Sequence, residues 1–309
     1  MDLSKAKPIE ITDKPIFDDY FQRFPPQISE LTFTNLFIWR DHYEFRFTEW
    51  NNHLLIFSEK YFKKYNTCAI NPDNVFFLPP IGSNPSKIIR ELFDTVEDVE
   101  IHRVPEDIIE KIKDSDEFRD SDIEILEDRD NWDYVYEKEA IANLTGNKHR
   151  QNRRWLNKFL EGYKYEFNLL SEDWIDKCKE LQLEWCVRRG CEEDESLTDE
   201  NIAINEALDN FSDLKYNGGI ICVENECAAY TFGEMLNPHT MVIHIEKAHM
   251  KFDGSYQAIN NLFLKNCCED AQFVNREQDL GISGLRRAKE SYKPQRMVKK
   301  SIISKKKTI

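Results

Sequence analysis

The chain has 309 residues, of which 40% are hydrophobic and 32% are charged, and this composition excludes a disordered protein or a peptide hormone. Its net charge of −15 disfavours a protein that coats DNA or anionic lipid over its whole surface. The apolar runs are far shorter than the roughly 20 residues that cross a bilayer. Residues 1–14 lack the apolar segment of a signal peptide, so we expect a cytoplasmic protein with no membrane span.

The eight cysteines are expected to be reduced thiols, because cytosolic reductants keep thiols reduced. They form no Cys-x-x-Cys pair, and no His-x-x-x-His pair accompanies them, so the spacing of a tetrahedral zinc site is missing. The sequence therefore predicts neither a disulfide framework nor a metal site.

The amino half has the pattern of a mixed α/β unit. Pro15 and the pair Pro25-Pro26 bound a first helix, and Asn51-Asn52 predicts the turn of a hairpin. The predicted elements are a helix at Ile16–Phe24, strands at Tyr43–Phe47, His53–Phe57 and Asn74–Leu78, a helix at Pro85–Phe93, a strand at Val99–Val104, a helix at Pro105–Lys113 and a strand at Ile123–Leu126.

The carboxyl half begins with a basic helix, predicted within Ala142–Phe159, where the two halves meet. The elements that follow are a strand at Tyr163–Leu169, helices at Glu172–Arg188 and Asp199–Asn210, strands at Gly219–Val223, Ala228–Glu234 and Met241–Glu246, a helix at Ser255–Cys267, a strand at Gln272–Asn275, a helix at Leu285–Tyr292 and a strand at Met297–Ile303. A tight turn is predicted at Glu224-Asn225. The segment Leu285–Ile309 carries ten cations against the single acid Glu290, so it is either an anion-binding surface or a solvated face.

The order of elements in this half resembles the fold of the Gcn5-related N-acetyltransferases, in which two splayed parallel strands open a cleft for the pantetheine arm of acyl-CoA. Members carry R/Q-x-x-G-x-G/A after the fourth strand, and here the segment Lys251–Tyr256 (KFDGSY) stands at that place, directly before a helix. A glycine lets backbone amides approach an anion, and the amino terminus of a helix attracts a pyrophosphate. The resemblance implies that the donor is bound by Lys251, Gly254, Ser255, Tyr256 and Arg286.

This copy departs from the acetyltransferase pattern at two positions. Lys251 replaces Arg or Gln, and Tyr256 occupies a place that Gly or Ala normally holds, where its ring could crowd a phosphate. The alternative interpretation is an ordinary turn that begins a helix.

Four separated phrases extend the resemblance to the whole chain. They are Leu31–Arg40 (LTFTNLFIWR), Leu78–Gly82 (LPPIG), Leu144–Arg153 (LTGNKHRQNR) and Val274–Gly281 (VNREQDLG), the last followed by Gly284–Lys289 and Ser291-Tyr292. In these phrases the chain resembles the DUF2156 family, which is related to the carboxyl-terminal domain of phosphatidylglycerol lysyltransferase. The resemblance implies an α/β (mixed-sheet α+β) protein with two tandem acetyltransferase-like domains, as in the Fem aminoacyl transferases. We place them at residues 1–140 and 141–309.

Acyl transfer to an amine needs a base, donors for the oxyanion and an acid for the leaving group. Strand alternation predicts that Val242, His244 and Glu246 share one face, so either His244 or Glu246 could be the base. The alternative is that His244 belongs to the core and that Glu246 pairs with Lys247 or Arg276.

Tyr292 stands where acetyltransferases often place the acid that protonates the leaving thiolate, which makes this a role carried over from the resemblance; a tyrosine that fills the sheet surface is the alternative. Asn275, Arg276 and Glu277 follow a strand, where a cleft loop should lie, and are predicted to bind the substrate. A structural network among them and Asp279 is the other interpretation, and we favour it for Asp279.

Three functions agree with these features, and we rank them in this order. The first is an N-acyltransferase that moves an acyl group from acyl-CoA to a small-molecule amine or an amino acid. The second is an aminoacyl-tRNA-dependent transferase, suggested by the lysyltransferase and Fem resemblance and by the two basic segments. The third is a non-enzymatic ligand-binding protein.

Overall fold

The computed structural model describes residues 3–65, 73–116, 118 and 122–306. Its helices are α1 (Lys14–Arg23), α2 (Phe33–Ile38), α3 (Arg40–Tyr43), α4 (Tyr61–Tyr65), α5 (Pro85–Thr95), α6 (Glu106–Lys113), α7 (Lys138–Asn143), α8 (Arg150–Gly162), α9 (Glu172–Arg189), α10 (Glu195–Asp209), α11 (Phe211–Leu214), α12 (Ser255–Asn266) and α13 (Ser283–Ser291). Short 3₁₀ helices occur at Leu3–Lys5, Ile11–Asp13, Arg129–Asn131, Asn147–His149 and Cys191–Glu193.

The strands form two mixed sheets of seven strands each. They are β1 (Lys7–Pro8), β2 (Arg46–Trp50), β3 (His53–Ser58), β4 (Val75–Phe77), β5 (Val99–Pro105), β6 (Ile123–Glu127), β7 (Asp133–Glu137), β8 (Tyr165–Leu169), β9 (Asn217–Val223), β10 (Glu226–Asn237), β11 (Thr240–Ala248), β12 (Phe273–Asn275), β13 (Arg296–Val298) and β14 (Lys300–Lys305). The first sheet has the order β1-β2-β3-β4-β5-β14-β6, and the second has the order β8-β9-β10-β11-β12-β7-β13.

The chain divides into two compact units, which we call the amino unit (residues 1–133 and 298–309) and the carboxyl unit (residues 134–297). The two sheets correspond strand by strand. Each has one parallel pair in the middle, β4 with β5 and β11 with β12, joined by a helix, α5 or α12. The mixed α/β class and the repeated topology agree with the prediction of tandem acetyltransferase-like folds.

The sixth strand of each sheet, β14 or β7, pairs with a fifth strand that is far from it in the sequence. The terminal strand, predicted in the carboxyl half, divides into β13 and β14, and β14 lies between β5 and β6 of the first sheet. Conversely β7, which the sequence analysis did not predict, follows the elements of the amino unit but pairs with β12 of the second sheet. The first sheet is thus completed by a strand that follows the whole carboxyl unit in sequence, whereas β7 directly precedes the other elements of that unit.

Local chemistry explains where the predicted elements hold and where they fail. Asn51 and Asn52 adopt left-handed backbone angles in the β2–β3 turn, as the asparagine pair predicts. The basic helix predicted from Ala142 is broken instead, because the chain turns through Leu144 (φ 50°) and Gly146 (φ 78°) before α8 begins. A helix, α3, occupies the start of the strand predicted at Tyr43.

The expectation of reduced cysteines is wrong at one pair. Gly190 ends α9 in the left-handed region (φ 68°), and this turn brings Cys191 back beside Cys186, with 5.1 Å between their Cα atoms. The two form a disulfide, whereas Cys178, Cys222, Cys227, Cys267 and Cys268 are free thiols.

The expectation of a cationic surface at the carboxyl end fails for several of its residues. Lys300 is fully buried and donates to Asp133 (2.7 Å) and Glu30 (2.6 Å) within the amino unit. Lys289 donates to the backbone carbonyls of Arg276 and Gln278. Lys300 and Lys289 therefore bind acceptors within the protein and do not add to an open cationic surface.

Candidate functional site

The carboxyl unit contains an open strand edge. β11 pairs with β12 only at Thr240–Val242, where β12 ends, but β11 continues to Ala248. In the described part of the chain, no strand pairs with this side of β11 from Ile243 onward. Backbone N–H and C=O groups at such an edge can bind an extended ligand.

A β-bulge shapes this edge. In the β10–β11 pairing, Phe232 lies opposite Ile245 and Gly233 opposite Ile243, so His244 is the extra residue. Gly233 makes the bulge possible, since a Cβ atom there would come within 2.1 Å of the Val242 carbonyl oxygen. The predicted strict alternation of Val242, His244 and Glu246 is therefore wrong, because the bulge shifts the pattern by one residue.

Glu246, Arg276 and Tyr292 come together at this edge. The Arg276 Nη2 atom donates to Glu246 Oε1 at 2.9 Å, and Asn260 of α12 donates to the other carboxylate oxygen at 3.3 Å. The Arg276 guanidinium lies 4.6 Å from the centre of the Tyr292 ring. Of the two partners considered for Glu246, it is thus Arg276 that pairs with it.

The buried guanidinium of Arg276 is not saturated. Its Nη1 atom is buried and has no hydrogen-bond partner among the described residues, although the guanidinium also interacts with the Tyr292 hydroxyl. Burial alone would lower the pKa of Arg276, but the adjacent Glu246 carboxylate outweighs this effect and raises it. A fixed cation with a spare N–H group is a suitable donor for a carbonyl oxygen that gains negative charge.

Tyr292 keeps its proton at neutral pH. Burial raises the pKa of its phenol to about 12, although the cationic Arg276 opposes this rise. A protonated phenol can donate a hydrogen bond or a proton to an oxygen beside it.

His244 is held between two acids. One ring nitrogen donates to Glu277 at 2.9 Å and the other to Glu234 at 3.0 Å. Burial alone would lower the pKa of His244, but these two hydrogen bonds outweigh it and raise the pKa to about 9. At neutral pH the ring is therefore an imidazolium with no lone pair to accept a proton.

The loop after β12 is fixed by its own hydrogen bonds. Asn275 accepts from the Glu277 amide at 2.8 Å, and the buried Asp279 accepts from Tyr134 at 2.6 Å and from both Nε and Nη2 of Arg286. Burial would raise the pKa of Asp279, but its bonds with Arg286 and Tyr134 hold that pKa well below its usual range. Arg286, predicted to contact the donor, is engaged in this loop.

The segment predicted to bind a pyrophosphate makes its contacts with other parts of the protein. Lys251 pairs with Glu226, and Asp253 pairs with Lys158 at 2.5 Å. Gly254 has φ 83°, and a Cβ atom there would lie 2.1 Å from the Trp155 carbonyl oxygen of α8. This glycine is thus required where α12 packs against α8.

Of the other two residues predicted to contact the acyl donor, Ser255 is buried and Tyr256 is half-buried. The Ser255 hydroxyl is buried beside the His249 carbonyl at 3.4 Å, and burial raises the pKa of Tyr256. The structure therefore brings Glu246, Arg276 and Tyr292 together and pairs His244 separately with Glu277, while Lys251, Gly254, Ser255 and Arg286 make their contacts elsewhere.

One group of side chains has the composition of a metal site. The ligand atoms of Glu184, Glu226 and His249 lie within 4.8 Å of one another. However, the Lys251 amide donates to His249 Nδ1 at 3.0 Å, which leaves the ring proton on Nε2, where it faces Glu184 at 3.0 Å. A neutral ring in this orientation has no lone pair directed at the carboxylates.

Sequence reasoning missed Asn260, which holds Glu246, and Gln257, whose side chain lowers the pKa of Tyr292 through a hydrogen bond. A signal for Asn260 exists, since Asn260 and Asn261 interrupt the apolar face of α12 and both are buried. Buried amides in a helix interior usually bind something specific.

Comparison with known proteins agrees with this description. The family model of the phosphatidylglycerol lysyltransferase carboxyl-terminal domain matches residues 21–304. A crystal structure of a conserved protein of unknown function from Bacteroides thetaiotaomicron is 29% identical, covers 98% of this chain and 99% of that one, and has a TM-score of 0.86. L-PGS from Bacillus licheniformis is 13% identical, with a TM-score of 0.65 over 96% of this chain and 93% of that one.

An uncharacterised protein of Mycoplasmoides gallisepticum is 23% identical over 192 residues, which is 59% of this chain and 58% of that protein. The match thus spans less than two thirds of this relative's length. Among the described residues, no helix has both the length and the apolar character that crossing a membrane demands.

The fold is that of the tandem acetyltransferase-like proteins. Within this fold, the chain belongs to the phosphatidylglycerol lysyltransferase carboxyl-terminal family, also called DUF2156.

Proposed function

We propose that the carboxyl unit transfers an aminoacyl group from an aminoacyl-tRNA to an amine or hydroxyl acceptor, with the chemistry at Glu246, Arg276 and Tyr292. The observation that carries this proposal is the open β11 edge, at which a carboxylate, a buried guanidinium with a spare N–H group and a protonated phenol converge. The family name supports an aminoacyl group as the cargo.

The proposed reaction breaks the ester bond between the aminoacyl carbon and the ribose oxygen of the tRNA. The acceptor nitrogen or oxygen forms the new bond to that carbon and gives its proton to the Glu246 carboxylate. The Arg276 Nη1 group stabilises the oxyanion, and Tyr292 donates its proton to the departing ribose oxygen. Proton exchange with solvent then deprotonates Glu246 and reprotonates Tyr292. His244, as an imidazolium, positions Glu277 and the loop rather than acting as the base.

The choice of an aminoacyl-tRNA over acyl-CoA rests on the segment Lys251–Tyr256. Its cation is paired with Glu226, its glycine is needed for helix packing, and its Asp253 is paired with Lys158, so the segment offers a pyrophosphate no unpaired cation of its own. Acyl-CoA stays the second candidate, because α12 begins directly after Gly254 and has no acidic residue in its first turn. For either donor, a small-molecule amine acceptor and a cytoplasmic location remain predictions.

The test supplies the full chain with radiolabelled aminoacyl-tRNAs or with acetyl-CoA, each with a panel of amines and with phosphatidylglycerol vesicles. We expect label to leave the tRNA only when an acceptor is present, and we expect acetyl-CoA to neither react nor raise the melting temperature. Transfer from acetyl-CoA alone would establish the second candidate. No transfer from either donor, together with unchanged binding of a ligand, would favour the non-enzymatic binding protein.

A further inference from the structure

A second feature of the carboxyl unit lies at the start of α8. His149 precedes the first residue of this helix and is 1% exposed. Neither of its ring nitrogens has a hydrogen-bond partner among the described residues. An imidazole always carries at least one N–H group, and a buried donor without an acceptor is costly, so such a group calls for an explanation.

The charges around His149 are all of one sign. Lys148, Arg153 and Lys293 lie close enough to lower its pKa further, in addition to the larger lowering caused by burial. The first turn of α8 contains no acid, and the residue that caps it makes no side-chain cap hydrogen bond. The amino terminus of a helix carries a partial positive charge, so cations there are destabilising.

Two exposed cations of this helix are also without an acidic partner among the described residues. Arg150 and Arg154 stand one turn apart on the solvent side, and neither forms an ion pair with any described acidic residue. Like charges spaced by four residues repel each other in a helix. By contrast, Arg153 is used internally, since its guanidinium donates to the carbonyls of Leu144 and Gly146.

We propose that the start of α8 is a site for a phosphate group, which accepts a hydrogen bond from His149 and is neutralised by Lys148, Arg150 and Lys293. Such an anion would satisfy the buried imidazole, the positive end of the helix and the unpaired cations at once. Exposed lysine and arginine side chains change rotamer within nanoseconds, so they can admit the ligand to the ring.

The phosphate belongs to an RNA backbone, and in this assignment the inference rests on the proposed function. Arg154 continues the row of unpaired cations about 6 Å further along the helix, and a row can follow a chain of phosphates where a single pocket cannot. An anionic lipid surface is the competing macromolecule and is one outcome of the test.

The first experiment follows the His149 ring by NMR in the full chain while inorganic phosphate, bulk tRNA or phosphatidylglycerol vesicles are added. We expect phosphate and tRNA to shift the His149 signals and to raise the pKa of that ring. If neither phosphate nor tRNA changes the His149 signals, the proposed site is wrong. A response to vesicles and phosphate but not to tRNA would replace RNA by a lipid surface.

The second experiment uses His149→Phe, which keeps a ring and removes both nitrogens. We expect the melting temperature to stay equal or rise, because two unsatisfied buried atoms are gone, while tRNA affinity falls roughly tenfold or more. A residue that served only the core would leave tRNA affinity unchanged.

The third experiment compares Arg150→Glu/Arg154→Glu with a control of equal charge change at exposed sites elsewhere, Arg188→Glu/Lys265→Glu. We expect the first pair of substitutions to weaken tRNA binding. The slope of log affinity against log salt concentration should also become less steep, by about 0.7 to 0.9 for each phosphate contact removed. Equal losses in both pairs would contradict a localised site. Binding at His149 without any aminoacyl transfer by the wild-type chain would refute the proposed function and leave the phosphate site standing.

Discussion

In the amino unit, the end of the parallel pair β4–β5 is packed with the protein's own side chains. Glu100 is fully buried and receives hydrogen bonds from Asn74 at 2.7 Å and from His102 at 2.9 Å. The rings of Phe62 and Phe76 lie 5.1 and 5.0 Å from His102. At the end of the parallel pair β11–β12, the carboxyl unit instead has Arg276 beside an open strand edge.

The two ends can be compared residue by residue from the last parallel pairs, Phe77 with Ile101 and Val242 with Asn275. His102 then takes the place of Arg276, and Arg103 the place of Glu277. Arg103 and Glu277 both adopt left-handed backbone angles, with φ of 59° and 57°. The left-handed backbone at this position is thus a property of the shared topology. The side chains around it determine whether the end of the parallel strand pair is filled by protein groups or left open. This difference favours a single reactive centre, in the carboxyl unit.

The largest effect should separate the half-buried Glu246 of the carboxyl unit from the fully buried Glu100 of the amino unit. Glu246→Gln keeps the shape of the side chain but removes the proton acceptor, so we expect transfer to fall by roughly 10²-fold or more. The matched change Glu100→Gln should lower the melting temperature and leave the rate constant of transfer intact. Measurement of kcat and melting temperature for both variants decides the matter, and an activity loss in Glu100→Gln alone would reverse the assignment of the units.

His244 and His102, both buried beside glutamates, should give opposite pH dependences of stability. The pKa of His244 is raised to about 9, so its contribution is complete below the unfolded value of about 6.5 and is lost as the pH rises through 9, by about 3 kcal/mol in all. Burial lowers the pKa of His102 despite its bond with Glu100, so its contribution is complete above the unfolded value and is lost as the pH falls below it.

Chemical unfolding between pH 5 and pH 10 measures both effects. We expect His244→Gln to remove the alkaline loss of stability and His102→Gln to remove the acid loss. An alkaline limb that persists in His244→Gln would show that the ring is not the charged partner of Glu234 and Glu277.

The smallest effect concerns two tyrosines with similar ionisation. Burial raises the pKa of both Tyr292 and Tyr20 to about 12, but Tyr20 of the amino unit donates to Glu49. If Tyr292 is the proton donor, Tyr292→Phe should reduce kcat by roughly ten- to a hundredfold, with little change in melting temperature. Tyr20→Phe should do the reverse. Full activity in Tyr292→Phe would leave that phenol a packing role only.

The sequence predicted most local elements because their signals are local. Turn residues at Asn51-Asn52 and Glu224-Asn225 and the apolar period of α5 and α12 each depend on near neighbours. The places of β7 and β14 in the sheets could not be predicted, since each pairs with a strand that is distant in the sequence. The bulge at His244 had one signal, Gly233 in the partner strand, but a glycine in a strand has several meanings.

Part of the candidate site could be predicted because some of its residues are marked by their places in or after strands. Glu246 and Arg276 were singled out from their places after or within strands, and they do meet. The roles of Gly254 and Arg286 came from the acetyltransferase resemblance, and the structure uses them for helix packing and for an ion pair with Asp279. A short pattern specifies a backbone conformation more reliably than it specifies a ligand.

The position of β14 has a consequence during synthesis of the chain. Strand β6 joins its sheet through β14, yet about 170 residues separate the two in the sequence. At ribosomal rates of about 5 to 20 residues per second, β5 and β6 wait roughly ten to thirty-five seconds for their shared neighbour. Throughout this interval the nascent amino unit exposes two strand edges that could pair with other chains. Strand β14 can join the first sheet only after the whole carboxyl unit has been synthesised, so nascent chains cut short before Lys300 should need chaperones for an amino unit that still lacks this strand.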